Sequence, residues 1–311
     1  MTNNLRTCVF TSCNYGYFHK ARLLLKSIRR TSNVDFYFMI SDRPHSTAED
    51  IVAKGVNSYI VYTSRLGIPS FEKWVYRHNV VELCTAVKAS CSKHLFDLGY
   101  DRVIYLDPDT YLFGSFGALT ERITDSNSVY LTPHVLKPAR FTDPITVGDC
   151  ELSSLKHGLY NLGFFGLIKS KAAEQFADWW ESRLFHYCKE DVPSGIFTDQ
   201  KWCDFVPIFF DGVHIVRDPG WNVASWNLQE RELGVASDGS LVVNSDHPLI
   251  FFHFTKLGQI GLQMLSRYSS NCIPLELWNK YETEYLEYLP ECTFDGHLNY
   301  DYYPDGTNVR R

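Results

Sequence analysis

The chain has 311 residues, 45% hydrophobic and 15% aromatic, enough apolar material for one large domain or one domain with a small appendage. Its 30 Lys+Arg against 36 Asp+Glu, a formal net charge of −6, offer no basic face or stripe, so no nucleic acid is expected among its partners. Nine cysteines, an odd number with no C-x-x-C pair and several inside apolar runs (Cys8, Cys84, Cys91), predict reduced, buried thiols in a cytoplasmic protein and give a zinc site no support.

The opening "MTNNLRTCVFTSC" lacks the apolar stretch of a signal peptide, and no run approaches transmembrane length. A soluble protein is expected, with peripheral membrane contact left open. "TCVFTSC" reads as a short apolar strand, and "FHKARLLLKSIRR" as a helix whose basic last turn suits its C-terminus. "VDFYFMIS" is a second strand, residues 46–53 a helix, and "SYIVYTS" a third strand. "VVELCTAVKASCSKHLFDLGY" reads as one long helix ended by Gly99, and "DRVIYLD" as a fourth strand. This alternation predicts an α/β fold with a mostly parallel central sheet flanked by helices. Ligands of such sheets gather at the carboxyl ends of the strands. Further on, "YNLGFFGLIKS" is a strand interrupted by two glycines, "KAAEQFADWWESRLFHYC" an amphipathic helix, and "SDHPLIFFHF" a strand ending in His253. From about residue 259 the pattern is helical, then turn-rich in "HLNYDYYPDGTNVRR". The expected organisation is a main domain over 1–260 and a helical or irregular extension over 261–311 packed on it, without internal repeats.

The chemistry centres on "VIYLDPDTYLF", where two acids follow a buried-type strand. A charge is costly in a core, so Asp107 and Asp109 must lie at a solvated edge or be paired, and Pro108 cannot donate to a sheet ladder. The plain reading is an acidic turn. The functional one is a pair of carboxylates holding one hard divalent cation, Mn2+ or Mg2+, which prefers oxygen ligands and keeps positions open for substrate phosphates. His253, at a strand end, could add a nitrogen ligand; otherwise it makes an ordinary hydrogen bond. Lys88, inside the apolar "TAVKASC", must pair or snorkel, with a bound phosphate or Asp107 as partner. Asn14 and Tyr15 sit in a polar loop after the first strand, where Tyr15 could stack on a nucleotide base; the alternative is a helix start capped by Asn14. Asn161 and Gly163 bracket a point of close approach, and an amide there can serve sugar hydroxyls as donor and acceptor. Asp199 and Gln200 open a polar step before "WCDFVPIFF", where helix capping is the plain reading. Lys256 stands three residues beyond His253, within reach of a phosphate. Trp179 and Trp180 fit the buried face of a helix. Trp221, Asn222 and Trp226 lie in a Pro/Gly-bounded loop, which suits an acceptor site.

"YDRVIYLDPDTYLFGS" resembles the D-x-D segment of GT-A-fold, nucleotide-sugar-dependent glycosyltransferases, and the wider pattern resembles the retaining family 8 type and related bacterial enzymes. "FTSCNYGYFHKARLLLKSI" resembles the first strand and nucleotide-binding loop, "ELCTAVKASCSKHLF" the helix before the D-x-D strand, "YNLGFFGLIKS" the sugar-site strand, "TDQKWCD" the acceptor-side element, and "FFHFTKLG" the late histidine strand. The resemblance covers most of residues 6–260. It implies a GT-A (Rossmann-like) fold and transfer of a sugar, with retention, from a nucleoside diphosphate (UDP favoured) to a hydroxyl of a glycan, lipid-linked or protein acceptor. It implies Asp107, Asp109 and His253 as metal ligands, Asn14, Tyr15, Lys88, Asp107 and Lys256 at the nucleotide, and Asn161, Asp199 and Gln200 beside the transferred sugar. In place of the family's "HYxGxxKPW"-like run this chain has "HFTKLG", with its lysine nearer the histidine. Two other readings compete. A sugar-1-phosphate nucleotidyltransferase would show a glycine- and basic-rich loop where this chain has "SCNYGYFHKAR". A non-catalytic glycan- or nucleotide-binding module would not need the intact Asp107, Asp109 and His253.

Overall fold

The computed structural model describes residues 5–139, 143–294, 299–303, 305 and 307–309. The strands that build the central sheet and the site are β1 (Thr7–Cys13), β2 (Asp35–Ile40), β3 (Ser58–Tyr62), β4 (Arg102–Leu106), β5 (Thr110–Leu112), β6 (Val129–Pro133), β7 (Tyr160–Ile168), β8 (Val213–Ile215) and β9 (Phe251–His253). Seven form one sheet in the order β8-β6-β7-β4-β1-β2-β3, in which β7 alone runs against its neighbours. β5 leaves that sheet and pairs antiparallel with β9.

The central strands are buried on both faces, which is why they read as continuous apolar runs. Alternation within them sorts the side chains. Cys8, Phe10, Val103 and Tyr105 point to one face, packed by Leu83 and Ala86 of helix α3 (Val80–Ala86), Cys91 and Leu95 of α4 (Lys88–Asp97), and Phe176, Trp180 and Leu184 of α5 (Lys171–Tyr187). Val9, Phe36, Phe38 and Ile104 point to the other, under Phe18, Leu24 and Ile28 of α1 (Tyr15–Arg29) and Ala48 and Val52 of α2 (Ser46–Ala53). The architecture is the α/β, mostly parallel one expected. Trp180 is fully buried, in keeping with a core role.

Three local expectations are corrected. The long helix over 80–100 is two helices parted at Val87 (φ −85°, ψ −8°). Both halves bury apolar residues against the same sheet face, so the apolar pattern runs through the break. The 160–170 strand is not interrupted: β7 is continuous, and at Gly166 a Cβ would crowd Ile123 and Tyr130. The strand over 245–254 is divided, with His247–Pro248 in a small separate sheet and Phe251–His253 on β5.

The expected junction between residues 260 and 261 falls inside helix α6 (Gln259–Tyr268). Leu265 of α6 and Leu277, Trp278 and Tyr281 of α7 (Ile273–Tyr288) share a core with Leu23, Tyr111, Phe252 and Phe254. Lys26 of α1 pairs with Glu284 of α7 at 3.2 Å. Of the turn-rich tail, residues 297, 298, 304, 306, 310 and 311 lie outside the described residues, as do residues 1–4 of the opening segment. All nine cysteines are free thiols. Among the described residues no helix is long and apolar enough to cross a membrane.

Candidate active site

At the end of β4 the chain makes a tight turn. The Asp107 N–H donates to the Gly163 carbonyl on β7 (2.8 Å), and the Thr110 N–H and hydroxyl donate back to the Asp107 carbonyl (3.0 and 2.8 Å). With Pro108 second in this four-residue turn, its fixed φ suits the bend. β5 then pairs with β9 so that His253 faces Thr110, and the Phe254 N–H donates to the Asp109 carbonyl at 2.8 Å. His253 Nε2 thereby lies 3.1 Å from Asp109 Oδ1 and 3.6 Å from Asp107 Oδ2. One ligand atom from each of the three side chains lies within 4.8 Å of the others. Two carboxylate oxygens and one imidazole nitrogen, converging and open on one side, fit Mn2+ or Mg2+.

The electrostatics favour positive charge at this point. Burial pushes the His253 pKa down, but Asp109 and then Asp107 outweigh it and the group is raised. Burial pushes Asp109 up, but His253 and the Lys20 ammonium hold it below the usual carboxylate range.

Gly163 makes room for the histidine. A Cβ there would lie 2.6 Å from His253 Nδ1 and 2.7 Å from Asn161 Oδ1. Gly163→Ala is therefore expected to displace the imidazole and weaken Mn2+ binding about 10-fold or more, the scale seen when a ligand's orientation is disturbed. Titration of the folded variant with Mn2+ checks this, and unchanged affinity contradicts it.

Lys88, the awkward charge of the sequence, is nearly inaccessible. Its ammonium lies 2.8 Å from Asp199 Oδ2 and 3.5 Å from Asp107 Oδ1, and donates to the Leu162 carbonyl at 2.9 Å. Burial lowers its pKa, but Asp107 and Asp199 together raise it above the ordinary value. Asp199 is raised by burial despite the pull of Lys88. The lysine thus ties the D-x-D turn to the Asp199–Gln200 step, with Asp199 as its nearer partner.

These elements border a cleft of about 600 Å³ that takes in Asn14, Lys88, Asp107, Asp109, Asn161, Asp199, Gln200, His253 and Lys256. Asn14 occupies the N-cap position of α1, yet its side chain makes no capping bond. Gln200 Nε2 donates to the His157 carbonyl at 2.9 Å. Lys256 is exposed on the rim, with φ +52°. Asn161 Oδ1 accepts from the Gly163 N–H (3.0 Å), and its amide nitrogen meets His134 Nε2 (3.2 Å).

Tyr15 does not join them. Its ring is buried against Phe294 (4.4 Å, stacked), its hydroxyl donates to the Arg43 carbonyl, and its N–H donates to Asp42. α1 begins at Tyr15, and helical phase turns Tyr15 and Phe18 to the core while Tyr17, 43% exposed, lines the cleft. The loop at 221–226 divides likewise. Trp221 is buried on Phe164 and Phe251, Asn222 lies behind His253, and Trp226 alone reaches the cleft. Sequence reasoning missed His134, which lines the cleft and is held neutral, its pKa lowered to about 4 by burial. It follows β6 in "SVYLTPH", so the strand-end rule that picked out Asp107 would have found it.

The sequence matches no family model. It is similar to two uncharacterised proteins of Bacillus subtilis (strain 168). YfnF is 23% identical over 249 residues, 79% of this chain and 80% of that protein. YfnD is 30% identical over 179 residues, 56% of this chain and 53% of that protein, so the match spans about half the length of YfnD. Among solved structures the chain is similar to galactosyltransferase LgtC, determined with donor and acceptor sugar analogues, at a TM-score of 0.53 and 13% identity over 90% of this chain and 95% of that one. At that identity the likeness is one of fold. Together with the seven-stranded sheet, it shows that this chain has the GT-A fold of the glycosyltransferases.

Proposed function

We propose that this protein moves a sugar from a nucleoside diphosphate, UDP by preference, to an acceptor hydroxyl with retention, using a divalent cation at Asp107, Asp109 and His253. The observation that carries this reading is the convergence of those three side chains in a cleft of about 600 Å³ at the strand ends of a GT-A fold. Mn2+ or Mg2+ bound there supplies Lewis-acid stabilisation of the departing diphosphate.

The chain's own residues divide the remaining work. Asn14, with its amide uncommitted to the helix, meets the base or ribose. Lys256 reaches the diphosphate from the rim. Lys88 is occupied by Asp199, Asp107 and the Leu162 carbonyl, so its part is to hold the two acids in place rather than to bind phosphate. Gln200 keeps its carbonyl oxygen for a sugar hydroxyl while its amide nitrogen is anchored on His157. Asp199 is 2% exposed and ion-paired, which favours a front-face route, in which the leaving phosphate takes the acceptor proton, over attack by this carboxylate. The acceptor enters where Trp226 and His157 line the cleft. A glycan, a lipid-linked sugar and a protein all remain acceptor classes for this entrance, and a cytoplasmic setting suits the reduced thiols.

Gln200→Ala separates binding from chemistry. The variant is expected to keep UDP affinity within about 2-fold while turnover, read as UDP release from a UDP-sugar, falls at least ~10-fold, because the lost contact is made to the reacting sugar. Equal losses of UDP affinity and rate would place Gln200 at the nucleotide instead. Where an acceptor is in hand, the anomeric proton of the product reports an α-linkage from an α-donor.

A further inference from the structure

The geometry points to Asn222 and Asn161 as positioning residues: with His134 they form a hydrogen-bonded chain that holds the His253 imidazole with Nε2 facing Asp107 and Asp109. The inference rests on the metal reading above, and it gives Asn161 to the histidine where the family resemblance implies a place beside the sugar.

The direction of every bond in the chain follows from one backbone group. The Gly163 N–H can only donate, and the Asn161 atom 3.0 Å away is therefore the carbonyl oxygen, Oδ1. Asn222 approaches that same oxygen at 2.9 Å, so it must present its NH2 group, which also donates to Thr132 Oγ1 at 3.0 Å. The other amide atom of Asn222 is then its oxygen, and it lies 3.3 Å from His253 Nδ1. An oxygen at that place accepts, so Nδ1 carries a proton. Nε2 is then the nitrogen that can give its lone pair to a cation held between the two carboxylates. At the far end, the Asn161 NH2 meets His134 Nε2 at 3.2 Å, which makes that nitrogen the acceptor. A metal-ligating histidine takes its tautomer from the hydrogen bond made by its other nitrogen, and here that bond is traced back to a backbone amide.

Packing and backbone both favour this assignment. Asn222 and His253 are 1% and 4% exposed. Asn222 sits at φ +51°, a left-handed conformation that asparagine and glycine adopt more readily than other residues. Its carbonyl accepts from Asn227 Nδ2 at 3.0 Å, which fixes the loop. Asn161 Oδ1 already accepts two hydrogen bonds and its NH2 donates one, so little of this amide remains for a substrate hydroxyl.

The test uses the full chain, with Mn2+ alone as the probe. Asn222→Gly keeps the left-handed backbone available and removes the amide. Asn222→Asp keeps an acceptor for His253 Nδ1 but sets a carboxylate against Asn161 Oδ1. Mn2+ affinity is expected to fall about 10–100-fold in Asn222→Gly and less in Asn222→Asp. Nitrogen NMR of the imidazole, with the diamagnetic Mg2+ in place of the Mn2+ probe, is expected to show the Nδ1–H form in the wild type and a mixture in Asn222→Gly. A more conservative change, His134→Gln, retains an acceptor for the Asn161 NH2 and is expected to lower affinity by less than either. Wild-type Mn2+ affinity and an unchanged tautomer in a folded Asn222→Gly would overturn the inference. So would a predominant Nε2–H form in the Mg2+-loaded wild type. Failure of the wild type to bind either cation would overturn the metal reading and this inference with it, whereas wild-type binding with unchanged Asn222→Gly overturns the inference alone.

Discussion

Asp109→Ala is expected to abolish sugar transfer and the Mn2+-dependent part of UDP binding. Of the two acids in the turn, Asp109 is the more buried and the closer to His253, at 3.1 Å. Its loss removes one ligand and the main group that raises the His253 pKa. Lewis-acid stabilisation of a leaving group is worth several kcal/mol, which corresponds to a rate loss on the order of 10³-fold or more. UDP release from a UDP-sugar, measured with Mn2+ and with chelator, checks this. Near-wild-type activity of Asp109→Ala in chelator would remove the metal from the mechanism.

The second large effect is on stability. Lys88→Met leaves Asp199, 2% exposed, and the nearby Asp107 without their shared cation. Breaking a buried ion pair by deleting one partner costs about 3–5 kcal/mol, because the remaining charge is uncompensated. Asp199 already has its pKa raised by burial, and Lys88 is the main influence opposing that rise. In the variant its folded-state pKa moves further above the unfolded value, so the folded form binds the extra proton and stability falls as pH rises through that range. The variant should therefore regain part of its lost stability in acid relative to the wild type. Combining Lys88→Met with Asp199→Asn should restore part of the loss at neutral pH, since the buried charge is gone. Denaturant unfolding of the single and double variants decides the matter. A single-variant cost below about 1 kcal/mol, or a double variant worse by the full sum, contradicts the pairing.

The legible parts of the fold are those with local causes. β1, β2 and β4 are buried apolar runs, β3 at the sheet edge is still an apolar and aromatic one, and Ala48 and Val52 of α2 lie four apart on one helical face, so its bounds come out at Ser46–Ala53. What escaped depends on the rest of the molecule. The direction of β7 is not written in its apolar residues, because a strand buried on both faces reads the same whichever way it runs. The break at Val87 is hidden by apolar residues that continue on both sides of it. β8 is only three residues long, and β6, though as long as β4, lies between polar turn segments; with β6 unrecognised, the strand-end rule was not applied to His134.

The site divides in the same way. Asp107 and Asp109 stand out because acids follow a buried strand, and His253 because it ends one. Their meeting depends on the pairing of β5 with β9, two segments distant in sequence. Lys88 was recognisable as a charge needing a partner, but its nearer partner, Asp199, lies far along the chain. Tyr15 and Tyr17 differ only by helical phase, and the phase is set by where α1 begins. Asn222 drew notice only as part of a Pro/Gly-bounded loop; its place beside His253 has no local signal and lies in what its amide touches after folding.

Calorimetric titration of the wild-type chain with UDP, in Mn2+ and in chelator, tests the central claim most directly. The account predicts saturable, one-site binding in Mn2+ that weakens at least ~10-fold in chelator, and a loss of that Mn2+-dependent difference in Asp109→Ala. Equal UDP affinity with and without the metal, or no UDP binding in either condition, would contradict it.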